Sequence, residues 1–406
     1  MRLLVGLEAH FCQCGSEFYS PNLTYEGIWS RYLAVFEEIL VVGRVAQAYQ
    51  PPPQWIRTTG PGITIWPLPE YRGPWGYLKV RSKLQASIRL AVAQCDAYML
   101  SVPGPIGTAI WAHLQRLGRP YGVEVVGDPW LSLAPGSVRS IVRPLARWKA
   151  RRDLQRQCRT AQTALYVTER ALQQAYPPGP DTCATGCSDV ELESVITPEE
   201  LEARLARIRD FPARLAGDGK PVRLGFVAAL LQLYKAPDIH IQALAQCVKS
   251  GMNVELVLIG SGTRMGSMKA LAEGLGVRDR IIFPGSLPGA KGVMDFLEGV
   301  DLFLNASRQE GLPRALVEAL SRGCPAIGTD LAGIMELLPQ ECLVPVNDAD
   351  ALAQRIQELL QDPNRMASLA VQSVATASRY LRSVLDIRRK EHYAILRQRT
   401  LGLASG

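Results

Sequence analysis

Ser307-Arg-Gln-Glu310-Gly-Leu-Pro313-Arg-Ala-Leu-Val-Glu318-Ala-Leu-Ser-Arg-Gly323-Cys-Pro-Ala decides how this chain is read. The apolar run Val300-Asp-Leu-Phe-Leu304 before it has the length and composition of a buried strand. Pro313 suits the first turn of a helix, where its missing N–H costs nothing. Ala315, Leu316, Ala319 and Leu320 share one side of that helix, and Gly323 ends it. The result is a strand, a loop and a helix whose N-terminus faces out of the strand's carboxyl end. Free backbone N–H groups and the helix dipole make such a mouth a ready anion site. Glu310 falls in the loop and Glu318 about a turn and a half into the helix. Two acids flanking a phosphate site suggest a sugar nucleotide, with Glu318 on ribose hydroxyls and Glu310 on the sugar. The same spacing also describes an ordinary βα unit with two solvated glutamates.

The 406 residues suffice for two domains of ordinary size. Hydrophobic content of 47% with 20% charge is that of a globular chain rather than a disordered one. No window of 18 or more apolar residues suggests a membrane span. Met1-Arg-Leu-Leu-Val-Gly-Leu7 is too short for a signal-peptide core and runs straight into Glu8, so a first buried strand is expected. The nine cysteines include Cys12-Gln-Cys14 and Cys183-Ala-Thr-Gly-Cys187, neither of which has the paired spacing of a zinc site. No metal is expected, and a reducing cytoplasm is the expected location.

The net charge of +7 is unevenly spread. Residues 1–185 hold 20 Lys+Arg against 12 Asp+Glu, and the rest of the chain is close to neutral. Much of the excess lies in 139–159, where Ile141, Leu145 and Trp148 fall at helical spacing among Arg139, Arg143, Arg147, Lys149, Arg151, Arg152, Arg156 and Arg159. An amphipathic basic helix of this kind lies on an anionic membrane surface or holds an anionic acceptor; a solvated helix on a basic domain has the same pattern. A peripheral place on the inner membrane face is one expectation. Nucleic-acid binding is not expected, because neither a recognised motif nor interleaved aromatics accompany the charge.

The first half alternates strands and helices. Strands are expected at Met1–Leu7, Ile39–Val42, Ile63–Trp66, Ala97–Ser101, Tyr121–Val126 and Thr163–Val167. Helices are expected at Tyr25–Phe36, Leu78–Gln94, Ile106–Leu117 and Glu169–Tyr176. Glu8–Thr24 is expected to be a long polar loop at the end of the first strand. Asp128, in Gly127-Asp128-Pro129 after a strand, contacts acceptor or sugar, or simply initiates a turn. Pro177-Pro-Gly-Pro180 breaks the alternation, and an interdomain linker is placed at 186–218. A second alternation follows, from Val222–Val227 through Ala332–Leu338. Two doubly wound α/β domains are therefore expected, 1–185 and 219–379, facing a central cleft at the carboxyl ends of their strands. In the second, Ile259-Gly260-Ser261-Gly262 is a Gly-rich loop between strand and helix, though without the third glycine of a dinucleotide fingerprint. Lys235 opens a helix and either pairs with a diphosphate or is solvated.

Together Phe226, Tyr234-Lys235-Ala-Pro-Asp238, Ile259-Gly-Ser-Gly262, Ile281-Ile-Phe-Pro-Gly285-Ser286 and Glu310-Gly-Leu-Pro-Arg-Ala-Leu-Val-Glu318 resemble the GT-B glycosyltransferases of the large retaining family 4. The resemblance covers roughly 221–362 well and the first half only loosely. It implies a nucleoside-diphosphate sugar donor held by the second domain, with Lys235 on the diphosphate and Glu318 on the ribose. It also implies Glu310 and the Gly311–Leu312 backbone on the sugar, Gly260 and Gly262 in the donor site, and Ser286 and Leu287 beside the base. Transfer of a hexose with retention, without metal or cofactor, to a glycan or lipid-linked acceptor in cell-surface glycan or glycolipid synthesis would follow, with the last helix, 380–406, packing back on the first domain. Two features depart from the family pattern. An arginine expected after the glycine opening the second domain is replaced by Phe226 after Gly225, and the first loop carries Gly15 alone instead of paired glycines. A sugar-nucleotide epimerase of the same shape, or a non-catalytic subunit that binds a partner through its basic helix, are the alternatives.

Overall fold

The computed structural model describes residues 1–133, 142–228, 230, 233–287 and 289–404. It divides into two compact units, Met1–Ser188 with Leu385–Gly406, and Asp189–Val384. Both are α/β with parallel sheets.

The first unit contains β1 Arg2–Cys14, β2 Glu17–Ser20, β3 Glu38–Gln47, β4 Ile56–Arg57, β5 Ile63–Leu68, β6 Ala97–Val102, β7 Gly122–Val125, β8 Thr163–Tyr166 and β9 Cys183–Gly186. The parallel strands run in the order β5-β3-β1-β6-β7-β8-β9. The near-continuous burial of Leu3–Gly6, Ile39–Val42 and Ala97–Leu100 is what a parallel sheet covered on both faces demands. Helices Gly73–Val92, Pro105–Leu117 and Arg143–Thr160 contribute to that cover. Pro105–Leu117 buries Ile106, Ile110, Trp111 and Leu114, one apolar stripe at helical period.

The polar loop expected at Glu8–Thr24 is instead the second half of β1 and a hairpin to β2. Residues alternate there, Ala9 and Phe11 inward and Glu8 and His10 outward, and Gly15 at φ +61° makes the turn. Two polar outward side chains, Glu8 and His10, hid a strand whose inner face is apolar. The helix expected at Tyr25–Phe36 begins as a wide turn, Tyr25–Trp29, capped by Thr24, whose hydroxyl accepts from the Gly27 amide at 2.9 Å.

Leu385–Gly406 counts with the first unit, and polar contacts tie it there. Tyr393 donates to Glu124 at 2.6 Å, and Tyr32 donates to both oxygens of the same carboxylate at 2.9 Å. The two tyrosine rings stack at 4.8 Å. Burial raises the Glu124 carboxyl above its usual range, and the two hydroxyls partly offset that.

The second unit holds β10 Val222–Val227, β11 Val254–Ile259, β12 Ile281–Gly285, β13 Leu302–Asn305, β14 Ala326–Thr329 and β15 Leu343–Val344, all parallel, ordered β12-β11-β10-β13-β14-β15. The order reverses between β10 and β13, the place where doubly wound sheets bind ligands. Most of the segment read as a linker, from Asp189 onward, counts with this unit. Helix Pro198–Arg209 opens with a capping box of Thr197 and Glu200. Its Arg204 is 5% exposed and donates to the Val300 and Leu297 carbonyls at 2.6 and 3.1 Å. Arg207 and Arg214 pair with the buried Asp301 at 2.8 and 2.6 Å. Charged residues that read as an interdomain linker thus meet carbonyls and a buried carboxylate at the end of helix Gly289–Glu298, where cations face the negative end of its dipole.

Tyr393→Phe keeps the stacked ring and removes one hydrogen bond to the Glu124 carboxylate. It should lower unfolding stability by about 1–3 kcal/mol in urea melts; an unchanged midpoint would refute a structural role for that bond.

Candidate functional site

The site is built where β10 and β13 end side by side. After β10, a single turn Leu233–Lys235 leads to Ala236 in the left-handed region at φ +51°, and Pro237 starts helix Pro237–Lys249. In the first turn of that helix His240 is fully buried. Its Nδ1 donates to the Ala236 carbonyl at 2.7 Å, and its Nε2 accepts from the Ala306 amide at 3.2 Å, just beyond β13. Both partners fix the neutral tautomer. Burial lowers its pKa to about 4, and its hydrogen bonds to the backbone push the other way. Phe226, which stands where the family pattern led us to expect an arginine, lies 4.2 Å from the imidazole, centroid to centroid.

The loop after β13 is held from below. Ser307 is fully buried, accepts through its carbonyl from the Thr329 hydroxyl at 2.7 Å, and donates its own hydroxyl to Glu310 Oε1 at 2.7 Å. Lys235 Nζ reaches the same oxygen at 2.6 Å, so the structure brings Lys235 and Glu310 together as a largely buried ion pair. Arg308 turns away to Asp238, which it grips with two hydrogen bonds at 2.9 and 2.7 Å. Burial alone would raise the Asp238 carboxyl; the guanidinium outweighs it and holds the pKa below the usual value. The Arg308 amide donates to the Tyr234 carbonyl at 2.6 Å, a second tie between the two loops.

Gly311 and Leu312 follow, and Pro313 caps helix Arg314–Ser321 from one position before its first turn, its carbonyl accepting from Leu316 and Val317. Among the described residues, the amides of Gly311, Leu312, Arg314 and Ala315 have no backbone acceptor, as the start of a helix requires. Gly323 at φ +65° lies just past the helix end, its amide closing onto the Leu320 carbonyl. Glu318 is half-buried, and its carboxylate has no hydrogen-bond partner among the described residues; only its backbone carbonyl accepts from a side chain, the Ser321 hydroxyl at 2.7 Å. Burial raises its pKa, and Arg314 moderates the shift.

The Gly-rich loop lies beside these. Gly260 and Gly262 sit at φ +139° and +157°, conformations that L side chains rarely adopt. The Gly260 amide donates to the Gly285 carbonyl at 2.8 Å, the Ser261 and Ser286 hydroxyls are 2.6 Å apart, and the Leu230 amide donates to the Ser261 carbonyl at 2.9 Å. Gly260, Gly262 and Ser286 therefore belong to one group of strand ends with Lys235, Glu310, Gly311 and Leu312. Leu287 is half-exposed directly after Ser286. Asp128 lies in the other unit and caps helix Pro129–Ser132: its Oδ1 accepts from the Trp130 amide at 2.7 Å and from the Tyr176 hydroxyl. Both bonds are structural, which matches the turn-initiating alternative.

His240, Ser307, Arg308, Asp238 and Gly333 were not assigned roles from sequence. A Cβ on Gly333 would lie 1.5 Å from the Gly311 carbonyl oxygen, so helix Ala332–Met335 meets the site loop backbone to backbone. Asp238 sat inside a motif already singled out, and a histidine two residues beyond it was a signal. Nothing local pairs Arg308 with a residue 70 positions away. No group of three or more His, Cys, Asp or Glu side chains suited to a metal ion occurs among the described residues.

Residues 221–362 match the family described as Glycosyl transferases group 1. The chain is 23% identical over 344 residues to Protein CapJ of Staphylococcus aureus, covering 84% of this chain and 81% of that protein. Its structure is similar to sucrose-phosphate synthase of Thermosynechococcus elongatus, with a TM-score of 0.67 at 16% identity over the whole of both chains. It is also similar to Anabaena HepE in complex with UDP and glucose, with a TM-score of 0.60 at 17% identity, again over both whole chains. At these identities the likeness is one of fold, the two parallel-sheet domains of the GT-B type.

Two outcomes follow from the site's construction. His240, and His392 in the first unit, both titrate near pH 4 when folded against 6.5 in the free side chain. The unfolded chain then binds more protons in that window, so stability is intact above about pH 6.5 and declines as pH falls towards about 4, by at most about 3 kcal/mol per histidine. Urea midpoints across that range should show the decline, with a shallower slope in His240→Gln. Gly333→Ala should displace the Gly311 carbonyl and destabilise the second unit by roughly 1–3 kcal/mol; wild-type stability would mean that the close approach is not maintained in solution.

Proposed function

We propose that this chain is a metal-independent glycosyltransferase that moves a hexose, with retention, from a nucleoside-diphosphate sugar to a glycan or lipid-linked acceptor in cell-surface glycan or glycolipid synthesis, working in the cytoplasm. The observation that carries the reading is the Lys235–Glu310 pair at the strand-order reversal, at 2.6 Å, beside a helix start with unused amides. The match of residues 221–362 and the UDP held by the structural neighbour HepE support a nucleotide donor.

In this reading Lys235 exchanges Glu310 for the diphosphate, a stronger anion with more oxygens to offer. Glu310, still held by Ser307, then accepts from a sugar hydroxyl, while the half-buried Glu318 accepts from the ribose. As the bond from the sugar's anomeric carbon to the diphosphate oxygen breaks, charge grows on the leaving group. Lys235 and the amides of Gly311 and Leu312 stabilise it. The acceptor hydroxyl attacks on the face the diphosphate leaves, and its proton passes to a diphosphate oxygen. No protein carboxylate bonds to the sugar, and Glu310 is a positioning group. Gly260, Gly262, Ser286 and Leu287 flank the nucleoside. Asp128, occupied as a cap, is given no part in this mechanism.

The test is calorimetry with a panel of nucleoside diphosphates, followed by incubation with the matching donor and a glycan or lipid acceptor. Lys235→Ala should weaken diphosphate binding by about 10- to 100-fold, the worth of a charge-assisted contact. Glu310→Gln should leave nucleoside-diphosphate affinity within about threefold while lowering kcat by at least about tenfold. Failure to bind any nucleotide would favour a non-catalytic subunit; isomerised donor without transfer would favour an epimerase.

A further inference from the structure

The first unit carries a concave site among the helices that cover its sheet. A cavity of about 170 Å³ opens among helices Gly73–Val92, Pro105–Leu117 and Arg143–Thr160. Arg81, Arg89, Arg116 and Lys149 line it, with Thr108 and His113, and no Asp or Glu does. Lys149 pairs with Asp153, but Arg81, Arg89 and Arg116 have no carboxylate partner among the described residues. Burial together with the charges of Arg89, Arg116 and Arg119 lowers the pKa of His113, as concentrated positive potential should. Three unpaired guanidiniums converging on one hollow repel one another unless an anion joins them.

The surroundings of that hollow are apolar and exposed. Leu78 lies one turn before Arg81, and Trp75 one turn before that, the tryptophan 77% exposed. On the third helix Trp148 adjoins Lys149 and Leu145 precedes it by a turn, 52% and 66% exposed. Exposed indole and leucyl side chains interleaved with Lys and Arg match a lipid–water interface, where the rings enter the headgroup layer and the cations meet phosphates. Arg152 stacks over the Trp148 ring at 5.2 Å, keeping charge and indole side by side. The basic stretch expected at 139–159 is thus one flank of a larger surface; its Arg139 and Ile141 lie outside the described residues.

We propose that the cavity among these three helices is a phosphate-headgroup site, and that Trp75, Leu78, Leu145 and Trp148 seat the first unit on an anionic lipid surface around it. The ligand class is a phosphodiester or phosphomonoester headgroup, and the source is a bilayer rather than free phosphate. Donor binding in the second unit is not needed for this, so vesicle binding and nucleotide binding fail independently.

The test is co-sedimentation of the full chain with phosphatidylcholine vesicles, alone or with about a third phosphatidylglycerol. Wild-type protein should bind the anionic vesicles at least about tenfold more tightly. Arg81→Gln combined with Arg116→Gln should lower that binding by about tenfold or more, each charge being worth about fivefold at the surface. Trp75→Ser with Trp148→Ser should lower it with the charges intact. Unchanged melting curves, and unchanged nucleotide binding where the wild type binds nucleotide, would show that these surface variants are folded. The proposal is overturned if neutral and anionic vesicles bind alike, if the arginine variants bind as the wild type does, or if the tryptophan variants do. It is also overturned if millimolar inorganic phosphate abolishes vesicle binding at constant ionic strength, which would make this a site for a soluble anion.

Discussion

A neutral imidazole with both nitrogens engaged holds the second unit's site together. His240 ties the carbonyl at the end of the β10 loop to the amide just past β13, and it does so as a buried group whose charged form is strongly disfavoured. Parallel strands leave their carboxyl ends unpaired, and the reversal of strand order separates the two connections there. Without a link across that gap the Lys235 and Glu310 loops would move independently. His240, the Arg308–Asp238 pair and the Arg308 amide on Tyr234 are three links across it, and the close Lys235–Glu310 contact rests on them.

That arrangement keeps two opposite charges poised without burying an unpaired one. A lone lysine or glutamate at this depth would carry a desolvation cost of several kcal/mol. Paired, they offset one another. Glu318 is different. Half-buried, with a carboxylate that has no hydrogen-bond partner among the described residues, it is held in a setting that raises its pKa, which a ligand hydroxyl would relieve.

The first unit solves the corresponding problem with its own carboxylate. At the reversal between β1 and β6, Glu8 accepts from the Ile106 amide at the start of helix Pro105–Leu117 at 3.2 Å, from Tyr71 at 2.9 Å, and pairs with Arg44 at 2.9 Å. A helix N-terminus that would attract an anion is thereby filled from within. The positive charge of this unit is displayed elsewhere, on the helices covering the sheet, where Arg81, Arg89 and Arg116 converge.

Much of this was legible in the sequence because it is local. Apolar runs of four to six residues fixed the parallel strands, Gly323 fixed a helix end, and the spacing of Glu310 and Glu318 placed one acid in a loop and the other on a helix. Alternation with polar outward residues concealed the second half of β1, because one buried face reads as half a signal. The charged stretch after Asp189 read as a linker, since nothing local shows that Arg204 and Arg207 would find carbonyls some 90 residues away. The Lys235–Glu310 distance, the His240 link, the bare Gly311–Gly333 contact and the meeting of three basic helices were decided only by tertiary structure. Each depends on which strands become neighbours, and strand order is a property of the whole sheet rather than of any segment in it.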